Sequence, residues 1–226
     1  MLSWEKLPSD LRCEAVRPYY DILKRRVLSR FFKRCFDIFA SLLLIILLSP
    51  VMLVLAVWIK LDSPGPVFYK SKRVTTYGRD FSIFKFRTMV TDADKKGALI
   101  TVSGDSRITR VGAKIRHARL DELPQLFNVL AGQMSFVGTR PEVRRYVEAY
   151  TDEMKATLLL PAGITSTASI NFRDEDEKMA ALTEKGLTVD EAYIAHILPD
   201  KMKYNLDYIK EFGCLRDIII CIKTVL

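Results

Sequence analysis

The longest apolar run in the chain covers residues 38–59, IFASLLLIILLSPVMLVLAVWI, and contains no charged residue. A helix of this length reaches roughly 33 Å, enough to cross the hydrocarbon core of a bilayer. The run starts too late for a simple cleavable signal peptide, and no small-residue cleavage site follows it. A buried core helix is the alternative, but a run this long and unbroken favours insertion into a membrane.

Two features decide how this segment is expected to sit in the membrane. Ser49 and Pro50 lie at its middle, where proline removes a helical hydrogen bond and kinks the helix. Lysine and arginine, which mark the cytoplasmic side, flank the run at both ends. A single span would leave one basic flank outside the cell, whereas a kinked helix that enters and leaves by the same leaflet keeps both inside. The pattern therefore favours a re-entrant helix.

After this segment, the polar and apolar positions alternate as in a β-hairpin. VFYKSKRV and FSIFKFRTM predict two strands about a turn at TTYGRD, where Gly78 can adopt a positive φ. Lys85 and Arg87 are two residues apart and share one face of the second strand, while Phe84 and Phe86 share the other. A cationic face suits an anionic ligand, although a solvated strand face gives the same pattern.

The rest of the chain has mainly helical spacing. Apolar residues from Ile115 to Leu130 predict helices that break near Pro124 and end at Gly132, and a longer helix is expected over 191–212. The tail CLRDIIICIKTVL is apolar enough to lie in a core or at a membrane interface. Together these patterns predict a helix-rich α+β protein.

Composition narrows the classes of partner. The net charge of +8 favours anionic partners, namely phospholipid headgroups, nucleic acid or phosphorylated small molecules. The four cysteines form no CxxC pair and indicate a reducing, cytosolic setting. The two histidines are far from each other and from the cysteines in the sequence, which disfavours a zinc site. Neither a GxGxxG nor a GxxxxGK[ST] motif occurs, so the sequence gives no support for nucleotide binding of the Rossmann or P-loop type.

The stretch RHARLDELPQL contains the strongest candidate chemistry. Asp121 and Glu122 are adjacent, with Arg116 and Arg119 upstream and Pro124 downstream. One interpretation is a helix N-terminus, where acids meet the positive end of the helix dipole. In the other, the two carboxylates divide roles, one as nucleophile or metal ligand and the other as base, metal partner or orienting group. Aspartate accepts a phosphoryl group when arginines and a divalent cation neutralise the transferred oxygens, and Mg²⁺ needs only one or two protein carboxylates.

A series of motifs resembles the bacterial sugar transferase family, the monotopic polyprenol-phosphate phosphoglycosyl transferases. It runs in family order over about 30–226, from KRCFDIFAS through SPGPVFYKSKRV, FKFRTM, DSRITRVG, RLDELPQLFNVLAGQMSFVGTRPE and GIT to RDIIICIKT. The resemblance implies transfer of a phospho-sugar from a UDP-sugar to a polyprenol phosphate such as undecaprenyl phosphate, with release of UMP. It further implies a ping-pong mechanism through a covalent aspartyl phospho-sugar, at the first membrane step of surface polysaccharide or glycoconjugate synthesis.

The resemblance also implies roles for individual residues. Asp121 matches the nucleophile of the family and Glu122 its partner, and Mg²⁺ is expected at these two carboxylates. The kink at Ser49 and Pro50 is a family feature. The positions that match substrate-binding residues are Lys85, Arg87, Arg116, Arg140, Pro141 and Arg173.

From these features we predict three segments. Residues 1–34 form a basic, interfacial N-terminal segment, with Trp4, Tyr19 and Tyr20 either near headgroups or in a subunit contact. Residues 35–60 form the membrane-inserted re-entrant helix hairpin, and residues 61–226 form a small cytoplasmic catalytic domain with the β-hairpin and interfacial helices. The expected location is the cytoplasmic face of a bacterial inner membrane rich in anionic phospholipid, and a homodimer is left open.

The chain departs from the family pattern near the expected sugar and nucleotide pocket. The departures are the segment ASINFRD and the residues Thr139, Ala162, Ser166 and Asn205. The reaction is therefore carried over to this chain, and the identity of the sugar is not.

Two other classes of function share part of this sequence pattern. The first is an inactive, membrane-tethered scaffold for polysaccharide machinery, which would have no reason to keep Asp121, Glu122 and the arginines matched above. The second is a membrane-attached nucleic-acid binder, which rests on net charge alone. The basic residues cluster beside the apolar run, where anionic lipid accounts for them equally well, so no nucleic-acid partner is predicted.

Overall fold

The structure, a computed structural model, describes residues 1–91, 93 and 105–225. The described part is helix-rich with two small sheets, as the sequence predicts. Its helices are α1 (Arg17–Arg25), α2 (Val27–Asp62), α3 (Arg110–His117), α4 (Gln125–Leu130), α5 (Arg144–Val147), α6 (Thr167–Asn171), α7 (Glu175–Glu184), α8 (Val189–Ala192), α9 (Leu198–Lys210) and α10 (Cys214–Val225). Its strands are β1 (Phe68–Val74), β2 (Asp80–Phe86), β3 (Met134–Val137) and β4 (Ala162–Thr165).

The predicted hairpin is confirmed as the antiparallel pair β1–β2. Its turn places both Tyr77 (φ 60°) and Gly78 (φ 72°) in the left-handed region, which reverses the chain within few residues. In the register of the pair, Tyr69 lies opposite Lys85 and Ser71 opposite Ile83, so these side chains share one face of the hairpin. The second sheet, β3–β4, is parallel.

Helix α2 contains the apolar run and is the one helix in the described residues that is long and apolar enough to cross a membrane. It continues through Pro50 without a break in the helical assignment. Proline has no N–H to give to the carbonyl of Ile46, and the hydroxyl of Ser49 donates to that oxygen instead, at 2.8 Å. The Ser–Pro pair therefore keeps the helix continuous, and the re-entrant arrangement stays a prediction.

Both ends of α2 contact the same domain. Near its beginning, Lys33 Nζ pairs with Asp217 Oδ2 of α10 at 2.7 Å and donates to the carbonyl of Val137 at 2.8 Å. At its end, the carboxylate of Asp62 accepts the N–H of Val111 at 3.1 Å. Between these ends, apolar residues of α2 pack on α3 and β2, forming a cluster made of Met52, Leu55, Ile59, Phe86, Val111 and Ile115.

The N-terminal residues are part of the main core. Leu11, Val16 and Leu23 are fully buried in the cluster that also contains apolar residues of α9. Tyr19 and Tyr20 are 5% and 2% exposed, and the hydroxyl of Tyr19 donates to Glu153 at 2.6 Å. These two rings pack inside the protein, because the apolar face of α1 lies on α9 and on the 3₁₀ turn Met154–Leu159.

Candidate active site

The acid pair lies in a tight turn between two helices. After α3 ends at His117, Arg119 adopts a left-handed conformation (φ 56°), and the chain forms the 3₁₀ turn Leu120–Glu122. Pro124 then stands at the N-cap of α4, where its fixed φ suits the start of a helix. The helical break predicted near Pro124 is confirmed, and the change of direction at Arg119 turns Asp121 towards the hairpin β1–β2.

Asp121 is 8% exposed and lines a cavity of about 410 Å³. Its Oδ2 lies 3.7 Å from Lys85 Nζ. Burial raises the pKa of the Asp121 carboxyl above its ordinary value, and the positive charge of Lys85 acts against that shift. The carboxylate thus faces an open space, with Lys85 beside it and Arg116 lining the same cavity.

Glu122 has a different environment, although it is the neighbouring residue. Its Oε1 accepts hydrogen bonds from Lys85 Nζ at 2.8 Å and from Arg140 Nη2 at 2.9 Å. Burial disfavours the charge of Glu122, but Arg140 and Lys85 outweigh it and hold its pKa well below the usual range. Glu122 does not line the cavity at Asp121, nor the second cavity described below. It orients two cations, whereas Asp121 faces the space where a substrate can enter.

The cavity at Asp121, here called the dyad cavity, combines positive charge with aromatic surface. Phe68, Tyr69 and Phe86 come from the hairpin, and Pro66 comes from the loop that follows α2. Its cationic residues are Arg73, Lys85, Arg87, Arg107 and Arg116. This set of side chains suits phosphate groups attached to a larger organic group.

A second cavity, here called the Lys201 cavity, has a volume of about 190 Å³. It shares Arg73, Ile83 and Lys85 with the dyad cavity, so the two cavities adjoin. The rest of its wall includes Arg140, Pro141, Glu142, Tyr146, Glu175, Tyr193 and Lys201.

The structure brings together most of the site residues predicted from the sequence. Lys85 and Arg140 contact the acid pair, Arg116 lines the dyad cavity, and Pro141 lines the Lys201 cavity. Arg173 lies elsewhere: it is exposed, lines neither cavity, and donates to the carbonyl of Lys223 in α10 at 3.1 Å.

Arg87 lines the dyad cavity, but its guanidinium is bonded to the backbone of the loop that follows α2. It donates at 2.7 Å to the carbonyls of Ser63 and Pro64, directly after α2. A Cβ on Gly65 would overlap the Arg87 guanidinium, and Gly65 has a φ of 124°, so glycine is required at this close approach. Arg87 therefore fixes the end of the apolar helix against the hairpin.

Sequence reasoning missed several residues of the site. Arg73 could have been found, because it lies on the β1 face of Tyr69 and Ser71, which the register places beside Lys85. Glu142, Tyr193 and Lys201 carry no comparable signal. They meet because α9 continues from α8 through the wide π-helical turn Tyr193–Ile197, a feature that is frequent at functional sites. This continuous run confirms the helix expected over 191–212.

The donor set at the acid pair fits a hard divalent cation that keeps much of its water. No group of three or more His, Cys, Asp or Glu residues that could hold a metal occurs among the described residues. Asp121 supplies a carboxylate at a cavity suited to phosphates, and Glu122 supplies an adjacent carboxylate whose Oε1 accepts from Lys85 and Arg140. Mg²⁺ is commonly bound by one or two protein carboxylates with phosphate oxygens and water.

Comparison with known proteins identifies the family. A sequence model described as "Bacterial sugar transferase" matches residues 28–226. The UDP-N-acetylgalactosamine-undecaprenyl-phosphate N-acetylgalactosaminephosphotransferase of Aeromonas hydrophila is 39% identical over 198 residues, 86% of this chain and 43% of that protein. The UDP-glucose:undecaprenyl-phosphate glucose-1-phosphate transferase of Escherichia coli (strain K12) is 34% identical over 214 residues, 93% of this chain and 42% of that protein.

The UDP-glucose:undecaprenyl-phosphate glucose-1-phosphate transferase of Caulobacter vibrioides is 34% identical over 196 residues, 85% of this chain and 68% of that protein. The chain thus spans less than half of the Aeromonas and Escherichia relatives and about two thirds of the Caulobacter one. Since the family model covers nearly the whole chain, including both carboxylates and the hairpin, the chain belongs to the bacterial sugar transferase family.

Proposed function

We propose that this protein transfers a sugar 1-phosphate from a UDP-sugar to undecaprenyl phosphate and releases UMP. The observation that carries the proposal is the division of the acid pair: Asp121 faces a cation-lined cavity, while Glu122 is held by Lys85 and Arg140. The relatives are named for reactions of this type. Their names cover both N-acetylgalactosamine and glucose, and the donor is therefore proposed only as a UDP-sugar.

In the first half of the reaction, an oxygen of the Asp121 carboxylate attacks the β-phosphorus of the donor. The bond from that phosphorus to the bridging oxygen breaks, the oxygen keeps the electron pair, and UMP leaves. Lys85, which contacts both carboxylates, and the arginines of the dyad cavity neutralise charge on the phosphate oxygens. Glu122 keeps Lys85 and Arg140 in place for this task.

In the second half, an oxygen of the polyprenol phosphate attacks the same phosphorus. The bond to Asp121 breaks, the carboxylate is regenerated, and the lipid diphospho-sugar is the product. Neither half consumes or releases a proton. In such a ping-pong mechanism, UMP leaves before the lipid phosphate attacks. One cation-lined cavity can therefore bind both groups in turn.

Mg²⁺ belongs to the same proposal. Asp121 and Glu122 would hold it, and when bound it would neutralise the charge of the diphosphate. The protein cations Lys85 and Arg140 act beside it.

We further propose that the protein sits on the cytoplasmic face of a bacterial inner membrane, with α2 as a re-entrant helix. Lys33 and Asp62, at the two ends of α2, contact one domain. A spanning helix would place them on opposite sides of a hydrocarbon core about 30 Å thick, so the domain that contacts both would have to lie within the hydrocarbon. Many outward side chains of α2 and α10 are apolar, including Leu43, Ile46, Leu47, Leu53, Leu215, Ile218 and Ile222. Those of α10 would lie at the headgroup level as an interfacial helix.

The direct test is release of UMP by the full chain in nanodiscs that contain anionic phospholipid and undecaprenyl phosphate. A panel of UDP-sugars is supplied with Mg²⁺, and UMP and the lipid diphospho-sugar are both quantified. We expect the two products in equal amounts with at least one donor. If the folded protein makes neither product from any UDP-sugar, the proposed function is contradicted.

Removal of divalent cations is expected to stop this reaction. With EDTA in excess, UMP release should fall to the background of protein-free nanodiscs, because Lys85 and Arg140 are already paired with the acid pair and the diphosphate brings further negative charge next to Asp121. Addition of Mg²⁺ beyond the EDTA should restore the rate. Unchanged turnover in EDTA would contradict the metal assignment.

Replacement of Pro50 with leucine is expected to restore a backbone N–H to the carbonyl of Ile46 and favour a spanning helix. A protease-sensitive tag at the N-terminus should then be cleaved from outside intact spheroplasts. In the wild type, and in the neighbouring control Val51→Leu, cleavage should require permeabilisation. Cleavage of the wild-type tag from outside would contradict the re-entrant proposal, and a protected tag in Pro50→Leu would contradict the role of the proline.

A further inference from the structure

The Lys201 cavity contains a cluster of buried charges that the transfer step does not use. Lys201 is 5% exposed, and its Nζ lies 3.1 Å from Glu175 Oε2, 3.1 Å from the hydroxyl of Tyr193 and 3.9 Å from Glu142 Oε1. The hydroxyl of Tyr193 in turn donates to Glu142. Burying such a cluster costs desolvation energy, and apolar residues of similar volume often stabilise a fold equally well. The cluster therefore suggests a role other than stability.

The chemistry of this wall distinguishes between the parts of the two substrates. Arg73, Lys85 and Arg140 also line this wall, but a phosphate that entered would have to compete with the carboxylates of Glu142 and Glu175 for Lys201. A polyprenyl chain would meet buried charge on most sides. A sugar ring carries hydroxyl groups that both donate and accept hydrogen bonds, which matches carboxylates, an ammonium and a phenol arranged around one space. The volume of about 190 Å³ lies below the roughly 300–1,000 Å³ of pockets for drug-sized ligands, so it suits a single ring and not a whole nucleotide sugar.

The position of the cavity fits the same occupant. Lys85 lines both cavities, and its Nζ lies 3.7 Å from the Asp121 carboxylate. Arg140, which also lines the Lys201 cavity, is bonded to Glu122. A group attached to a phosphorus at Asp121 can therefore extend past Lys85 and Arg140 into the Lys201 cavity.

The ping-pong order gives a reason for two compartments. UMP must leave and the lipid phosphate must enter while the sugar stays on the enzyme. If the sugar occupied the dyad cavity, it would stand where those two groups have to exchange. A separate space beside the dyad cavity keeps the retained group out of their way.

Two residues in the wall of this cavity lie next to positions at which the chain departs from the family pattern. Glu175 directly follows the divergent segment ASINFRD and begins α7. Lys201 lies on α9, one turn before Asn205, another of the departures. Resting on the proposed function, we propose that the Lys201 cavity receives the sugar of the donor, and that Glu142, Glu175 and Lys201 bind its hydroxyl groups and set the sugar preference of this enzyme.

The test compares donor preference between two variants and a matched control. Glu175→Gln and Lys201→Met each remove a charged partner of the sugar, and Glu177→Gln makes the same acid-to-amide change at an exposed position of α7. For each protein, kcat/KM for UMP release is measured with UDP-glucose, UDP-galactose, UDP-N-acetylglucosamine and UDP-N-acetylgalactosamine. The inhibition constant of UMP is measured in parallel.

We expect Glu175→Gln and Lys201→Met to lower kcat/KM for the preferred donor by about 10–100-fold, the effect of losing a hydrogen bond to a charged group. The loss should be smaller for donors whose hydroxyl arrangement does not use that contact, so the order of preference changes. The inhibition constant of UMP should stay the same, and Glu177→Gln should behave as wild type.

Two results would overturn the proposal: an equal loss with every donor, or a parallel weakening of UMP inhibition, which would assign the cavity to the nucleotide. If Lys201→Met fails to fold, Glu175→Gln carries the test, because the Glu175 side chain is 30% exposed. Absence of UMP from the wild type with every donor would contradict the proposed function itself. Normal UMP release with an unchanged preference in Glu175→Gln would contradict only the sugar assignment.

Discussion

Replacement of Asp121 with asparagine is expected to abolish UMP release while the protein stays folded. The amide has nearly the shape of the carboxylate but is not a nucleophile towards phosphorus, so no covalent phospho-sugar can form. Removal of a nucleophile lowers kcat by about 10⁴–10⁶-fold in other covalent enzymes, and we expect a loss in that range. The measurement is UMP release in nanodiscs, together with mass spectrometry of the protein after incubation with donor and no lipid acceptor.

Two controls make this result specific to the nucleophile. Asp176→Asn, an exposed position of α7, should keep the wild-type rate and the phospho-sugar adduct. The thermal midpoint of Asp121→Asn should be at least that of wild type, because its amide removes a partly compensated buried charge. Full activity of Asp121→Asn, or an adduct on the variant, would contradict the assignment of Asp121 as nucleophile.

The acid pair also illustrates what the sequence could and could not predict. The turn at Asp121 and Glu122 follows from local signals, because Pro124 and the apolar spacing predict where the helices end. The different environments of the two carboxylates do not follow from them. They depend on Lys85 and Arg140, which are 37 and 18 residues from Glu122 and reach it only after the hairpin packs on the turn.

The same distinction holds for the fold. The hairpin was predictable because its strands are adjacent in sequence and joined by a turn with Gly78. Helix α2 was predictable from composition. The burial of Tyr19 and Tyr20 was not, because an amphipathic segment beside basic residues has the same pattern whether its apolar face meets a membrane or α9.

Arg173 shows the limit of a family resemblance. A motif match transfers a residue type to a position, but the direction of the side chain depends on the elements around it. Here Arg173 follows the short helix α6 within the divergent segment, and α10 supplies the carbonyl that it bonds. Its role in substrate binding stays a prediction.

Replacement of Lys33 with methionine is expected to cause a large loss of stability, because the ion pair with Asp217 is buried. Both side chains are 7% exposed, and Asp217 also accepts a hydrogen bond from the hydroxyl of Tyr208 at 2.7 Å. Without Lys33, the Asp217 carboxylate loses its cation in a buried site that joins α2, α9 and α10. Breaking one partner of such a pair costs about 3–5 kcal/mol, and we expect the free energy of unfolding in detergent micelles to fall by that amount.

Lys203→Met is the matched control. Lys203 pairs with Asp200 at the same N–O distance of 2.7 Å, but the two side chains are 74% and 54% exposed, so the expected loss is at most about 0.5 kcal/mol. The double variant Lys33→Met/Asp217→Asn should be more stable than Lys33→Met alone, because the unpaired charge at Asp217 is removed while Tyr208 keeps an acceptor. Equal losses in Lys33→Met and Lys203→Met would show that the pair does not hold α2 on the domain. A large loss confined to Lys33→Met would support the view that the N-terminal half of α2 is fixed to the domain by charge and its C-terminal half by apolar packing.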